Sequence, residues 1–193
     1  MTKRVFIIHG WDGYPEEGWF PWIKKELENK GFEVFVPLMP NPSEPQIKEW
    51  VSSLAKIVGE PDENVYFIGH SIGCQTILRY LETLNNKKVG GVVLVAPWFV
   101  LSDLETEEEK IIGKPWIETP IDFNKIKATT NNFVCIFSED DPVVPLDENI
   151  KLFKERMNSK IIIEKSGGHF SGGDGITELP SALNSVLELA KNE

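Results

Sequence analysis

Short apolar runs alternate along the chain with longer stretches whose apolar residues recur every three or four positions. Residues 4–9 (RVFIIH) are β-branched and apolar, which predicts a buried strand. Residues 20–30 (FPWIKKELENK) set Trp22, Ile23 and Leu27 at helical spacing, and Gly31 stands where helices stop. A strand at 33–37 and a helix at 45–58 follow, the helix carrying Ile47, Trp50, Val51, Leu54, Ile57 and Val58 on one face. Further strands are predicted at 65–69, 91–96, 132–138 and 160–164, and further helices at 71–84, 146–157 and 179–191. Strands that read apolar throughout, rather than alternating, are buried on both faces. The strand–helix alternation therefore predicts an α/β protein: a mainly parallel sheet of about six strands between two helix layers, as one domain over 1–193.

One segment breaks the rhythm. Residues 98–131 hold an acidic stretch (Asp103, Glu105, Glu107, Glu108, Glu109), then Pro115-Trp116 and Pro120. At most one or two short helices are expected there. The segment is either a partial cover over a site or a solvated connection.

Composition narrows the functional classes. Six Trp and eleven Phe supply enough apolar surface to exclude disorder. A formal net charge of −10 repels phosphate backbones and anionic lipid, so neither nucleic acid nor membrane is expected as a partner. The N-terminal apolar run Val5-Phe6-Ile7-Ile8 is too short for a signal segment or a span. Cys74 and Cys135 have neither disulfide-framework nor zinc spacing and read as reduced core thiols, which points to the cytoplasm. No metal motif and no cofactor motif is present, so none is expected.

In parallel sheets ligands bind beyond the carboxyl ends of the strands, and there the chain gathers its reactive residues. The third strand leads into Gly69-His70-Ser71-Ile72-Gly73, a G-x-S-x-G pattern between a strand and a helix. A serine on such a sharp turn is pushed above the sheet, and Gly69 and Gly73 let strand and helix approach. The plainer reading makes Ser71 a helix cap. Of three histidines, His70 is committed to the turn and His9 braces the first loop, leaving His169 in a Gly-Gly loop as general base. The orienting acid comes from Glu139-Asp140-Asp141 after the fifth strand. Asp141 is preferred because it precedes Pro142-Val143-Val144-Pro145, and Asp140 is its rival. The backbone N–H groups of Ile72 and Trp11 are candidate oxyanion donors. His9, Trp11, Trp98 and Phe170 follow or closely trail strand ends and are candidate pocket walls, to be weighed against ordinary packing.

Taken together, VFIIHGWDG, VYFIGHSIGC, VLVAPW, FSEDDPVVP and SGGHF resemble the small, cap-poor α/β-hydrolases of the retinoblastoma-binding-protein-9 type, the serine hydrolase family of that name. The likeness spans nearly the whole chain. It implies a three-layer α/β-hydrolase fold without a large lid domain, and a Ser71–Asp141–His169 triad, in the nucleophile–acid–base order of that fold, acting on small esters or related acyl compounds. The L-x-C-x-E sequence used by animal members to contact retinoblastoma protein is absent, so that partner is not carried over. The expectation is a cytoplasmic, cofactor-free, carboxylesterase-like serine hydrolase. The rival is a catalytically idle interaction module on the same scaffold. A third reading keeps an enzyme but changes the reaction, to a haloperoxidase or a C–C hydrolase.

Overall fold

A computed structural model gives the structure of the chain and describes residues 2–85, 87–102, 104 and 106–191. Asp103 and Glu105 of the acidic stretch lie outside the described residues. Among the described residues six strands form one sheet: β1 (Arg4–Ile8), β2 (Glu33–Phe35), β3 (Val65–His70), β4 (Gly91–Val95), β5 (Phe133–Ser138) and β6 (Lys160–Glu164). Their order is β2-β1-β3-β4-β5-β6, and every neighbouring pair is parallel. The strand order reverses between β1 and β3, which opens a crevice beyond their carboxyl ends.

Among the described residues seven helices flank the sheet: α1 (Phe20–Glu28), α2 (Ile47–Val58), α3 (Ile72–Glu82), α4 (Glu107–Glu118), α5 (Phe123–Thr129), α6 (Leu146–Met157) and α7 (Pro180–Leu189). On one face Phe20, Ile23 and Leu27 of α1 and Ala182, Leu183 and Val186 of α7 pack on Val5, Ile7, Ile68 and Val93. On the other, Trp50 and Leu54 of α2, Ile77 and Leu81 of α3, and Phe153 of α6 pack on Phe6, Phe67, Leu94 and Cys135. The alternation of odd and even strand positions between the two clusters is the period of two that a doubly covered sheet requires. Fully buried side chains of this size contribute about 1.5–3 kcal/mol each. Gly31, with φ +86°, ends α1 as its position predicts.

Two expectations change. β6 is an edge strand rather than a buried one: Ile161 and Ile162 are half-buried, and Ile163 is 47% exposed. An edge strand lacks the second neighbour that would bury it. The other change is α4, a 12-residue helix where only short pieces were expected. The Thr106 side chain accepts from Glu109 N, and the Glu109 carboxylate accepts from Thr106 N, so the acidic stretch is in part the capped first turn of a helix. Three glutamates there also complement the helix dipole. Its one large buried side chain, Trp116, reaches the α2–α3 layer and donates to Pro45 O at 2.8 Å.

Candidate active site

β3 ends in His70, and the chain then turns sharply. Ser71 takes φ 51° and ψ −119°, a strained backbone that costs on the order of 1–3 kcal/mol and that the surroundings must hold. They do so by close approach. A Cβ on Gly69 would lie 2.8 Å from Cys74 N, and one on Gly73 would lie 2.3 Å from Ile8 O. The first turn of α3 thus rests directly on the ends of β1 and β3, and Ser71 N donates to Val95 O at 2.9 Å. The Ser71 hydroxyl makes no helix-capping bond. Instead it sits 2.9 Å from His169 Nε2.

His169 lies in a tight loop after β6, flanked by Gly168 (φ +52°) and Phe170 (φ +57°). Its Nδ1 is 2.9 Å from Asp141 Oδ2 and 3.1 Å from Oδ1. Asp141 is held in turn: Oδ1 accepts from Val143 N at 2.8 Å and Val144 N at 3.1 Å. Its side chain is only 3% exposed and that of His169 is 18% exposed, so the pair sits at the floor of an open crevice. Three side chains from residues 71, 141 and 169 form one continuous hydrogen-bonded line.

Asp140 does something else. Its Oδ1 takes the Ser138 hydroxyl and accepts from Gly167 N at 3.0 Å and Gly168 N at 2.9 Å, stapling the β5 turn to the loop that carries His169. The Ser138 hydroxyl and these two amides hold the Asp140 carboxyl down at about 2. Glu139 is exposed and meets the β6 end through its backbone, donating to Glu164 O.

The loop after β1 closes over the elbow. A Cβ on Gly10 would lie 2.9 Å from His70 Nδ1 and 3.5 Å from Ser71 Cβ, so only glycine allows this approach. The turn is set by Gly13 N donating to Gly10 O and Asp12 N to Pro42 O. Trp11 of this loop and Ile72, the first residue of α3, line the same cavity. Neither Trp11 N nor Ile72 N has a hydrogen-bond partner among the described residues. A helix N-terminus with a free amide favours developing negative charge.

A cavity of about 370 Å³ opens on Ser71 and His169. Trp11 and Trp98 line it, as do Leu101, Ser102, Leu104 and Glu109 of the 98–131 segment. His9 and Phe170 do not, which corrects their assignment as pocket walls. His9 is fully buried. Its Nδ1 bonds Gly10 O at 2.8 Å, its Nε2 accepts from Met39 N at 2.9 Å, and its ring meets Trp50 edge-on. Burial lowers its pKa, so the ring is a neutral brace. The Phe170 ring packs in the α1–α7 layer while its carbonyl accepts from Trp19 Nε1 at 3.0 Å, anchoring the His169 loop from below. His70 is also buried and neutral. Burial first, then the neighbouring His169, drops its pKa to about 3, and its Nε2 donates to His169 O at 2.7 Å.

Sequence reasoning missed Asp174, whose Oδ2 accepts from His169 N at 3.1 Å, Ser171 N at 2.9 Å and Ser171 Oγ at 2.6 Å. Burial raises this carboxyl, but the Ser171 hydroxyl and the amides outweigh it and the net direction is down. The S-x-x-D spacing of Ser171 and Asp174 was the available signal. Asn149 was also missed. It is fully buried and accepts from Phe99 N at 2.7 Å and Val100 N at 3.1 Å, fixing the chain that leads from Trp98 into the cavity wall. Among the described residues no group of three or more His, Cys, Asp or Glu side chains could hold a metal ion, and no helix is long and apolar enough to cross a membrane.

A parallel three-layer sheet with a strained serine at the β3–α3 turn is the architecture of an α/β-hydrolase. A family profile described as serine hydrolase matches residues 5–188. The chain is 35% identical to YdeN of Bacillus subtilis over all of this chain and 99% of that one. The crystal structure of the ydeN gene product has a TM-score of 0.88 at 30% identity, covering 98% of this chain and all of the other. The chain is also 30% identical to the serine hydrolase RBBP9 of Rattus norvegicus over 96% of each. Est1E from Butyrivibrio proteoclasticus, solved with ferulic acid bound, has a TM-score of 0.76 at 14% identity over 98% of this chain and 90% of the other, a likeness of fold alone. The chain belongs to the serine hydrolase family.

Proposed function

We propose that this hydrolase cleaves small carboxylic esters or related acyl compounds through an acyl-enzyme on Ser71. One observation carries the reading: the line Ser71 Oγ–His169 Nε2–Asp141, at 2.9 Å and 2.9 Å. His169 Nε2 takes the Ser71 proton as Oγ attacks the acyl carbon. Asp141 holds the ring by Nδ1–H and stabilises the imidazolium that forms. The Ile72 and Trp11 amides bind the oxyanion. When the tetrahedral species collapses, the C–O bond to the leaving alcohol breaks and the alcohol takes the proton from His169. Water, giving its proton to His169, then attacks the acyl carbon, and Ser71 Oγ leaves with that proton as the acid is released. Trp98 and Leu101 offer an apolar wall for the acyl or alcohol part. Each proton in this cycle passes between substrate, water and the chain's own residues, with no cofactor taking part.

A panel of short-chain p-nitrophenyl esters tests the reading. Saturable turnover that vanishes in Ser71→Ala is expected. No turnover at any chain length, in protein shown to be folded, contradicts the esterase assignment.

A further inference from the structure

A second cavity, of about 380 Å³, lies under the 98–131 segment and shares no lining residue with the first. Its charged lining is two arginines, Arg79 of α3 and Arg156 of α6, with no acid, in a chain of net charge −10. Arg79 is 5% exposed and makes no ion pair with a carboxylate among the described residues. Its Nη2 donates to Trp116 O and Thr119 O, both at 2.9 Å, which caps the C-terminal end of α4. That uses part of the guanidinium only. The buried Nε has no partner, and Nη1 makes no bond to the described residues. Gln75, 1% exposed, likewise leaves Oε1 unpartnered, while its Nε2 donates to Trp98 O at 2.6 Å. Burial lowers the pKa of Arg79, and Glu82, whose charge opposes this, engages Asp122 N outside the cavity lining.

Arg156 is posed rather than loose. Its guanidinium carbon lies 4.5 Å from the Phe99 ring centre and 5.3 Å from that of Phe123. Stacking of this kind fixes the planar fork while leaving its edge free to donate. Trp116 lines the same space. Two cations, one held by a helix end and one by two rings, thus face an aromatic-walled cavity of ligand size. A buried cation with no acid beside it in the cavity lining is costly, and an anion entering this space would relieve that cost.

We propose that this second cavity binds a small organic carboxylate with an apolar or aromatic body, its carboxylate on Arg156 and Arg79 and its body against Trp116 and Phe99. Binding here requires no turnover, so it stands or falls separately from the ester hydrolysis proposed for Ser71. The test is a titration of the intact protein with benzoate, followed by side-chain N–H signals of Arg and Trp in nitrogen-15 NMR. The Trp116 indole and Arg156 Nε–H signals are expected to shift saturably, while the Trp11 indole at the catalytic cavity stays still. Arg156→Gln should weaken binding at least about tenfold, the size of one lost charge-assisted contact. Arg156 is partly exposed, so this variant keeps the fold even if removing Arg79 does not. Any of four results overturns the proposal: no saturable shift, equal affinity in Arg156→Gln, shifts confined to Trp11, or equal binding of benzylamine. Binding of inorganic phosphate without benzoate would refute the carboxylate assignment.

Discussion

The nucleophile and the base are held in place by different physics. Ser71 sits where backbone packs on backbone: Gly10, Gly69 and Gly73 have no room for a Cβ. His169 sits among exposed loops tied by carboxylates, with Asp140 under Gly167 and Gly168, Asp141 on the ring, and Asp174 on the backbone N–H. The first half is rigid because close packing leaves no alternative. The second is rigid only while three carboxylates keep their bonds. The nucleophile side should therefore answer to changes of volume, and the base side to changes of charge.

The largest effect belongs to the reacting atoms. Ser71→Ala and His169→Ala should each lower kcat by about 10⁴-fold or more with melting temperature little changed, as steady-state assays and calorimetry would read. Asp141→Asn, which removes charge but little volume, should cost about 10³–10⁴-fold in kcat. If Asp140→Asn costs more than Asp141→Asn, the orienting acid is one residue earlier than the hydrogen bonds indicate.

Gly73→Ala breaks the other side of the comparison. Its Cβ meets Ile8 O at 2.3 Å, so backbone must move, and urea unfolding should show a loss of about 3 kcal/mol. A neutral result would mean that packing does not hold the elbow.

Acid cuts across this division, because His70, buried within the elbow on the nucleophile side, resists protonation in the fold. His70 stays neutral in the fold until about pH 3 but takes a proton near 6.5 when unfolded, so the unfolded chain binds more protons between those values. Stability therefore falls as pH drops through that window, by up to about 1.4 kcal/mol per pH unit for each such histidine. His9, lowered in the same direction, adds to it. His70→Asn should flatten urea midpoints between pH 7 and pH 5. Asp140 adds only below its ordinary range near 3.8, where its bonded carboxylate is lost as pH falls toward about 2. Smallest of all, Asp140→Asn and Asp174→Asn should each lower kcat about tenfold by loosening the His169 loop, with KM nearly unchanged.

The same division explains what could be read from the sequence. The elbow was legible because its chemistry demands fixed residue types at fixed spacing, and because apolar runs such as VVLV admit only a buried strand. The brace under His169 was harder: Asp174 contacts nothing that its neighbours in sequence advertise beyond a polar turn. His9 and Phe170 misled because standing next to a strand end does not decide which way a side chain faces. In the structure His9 faces Met39 and Trp50, and Phe170 the α1–α7 layer. Helix α4 was hidden by Pro115 and by glutamates that read as solvated loop until Thr106 and Glu109 are seen to cap one another.

The most direct test is the intact mass of the protein after exposure to a fluorophosphonate, with the labelled peptide sequenced. One phosphonyl group on Ser71, lost in Ser71→Ala and sharply slowed in His169→Ala, is the predicted result. Folded protein that stays unlabelled, or that carries the label on another serine, contradicts the account.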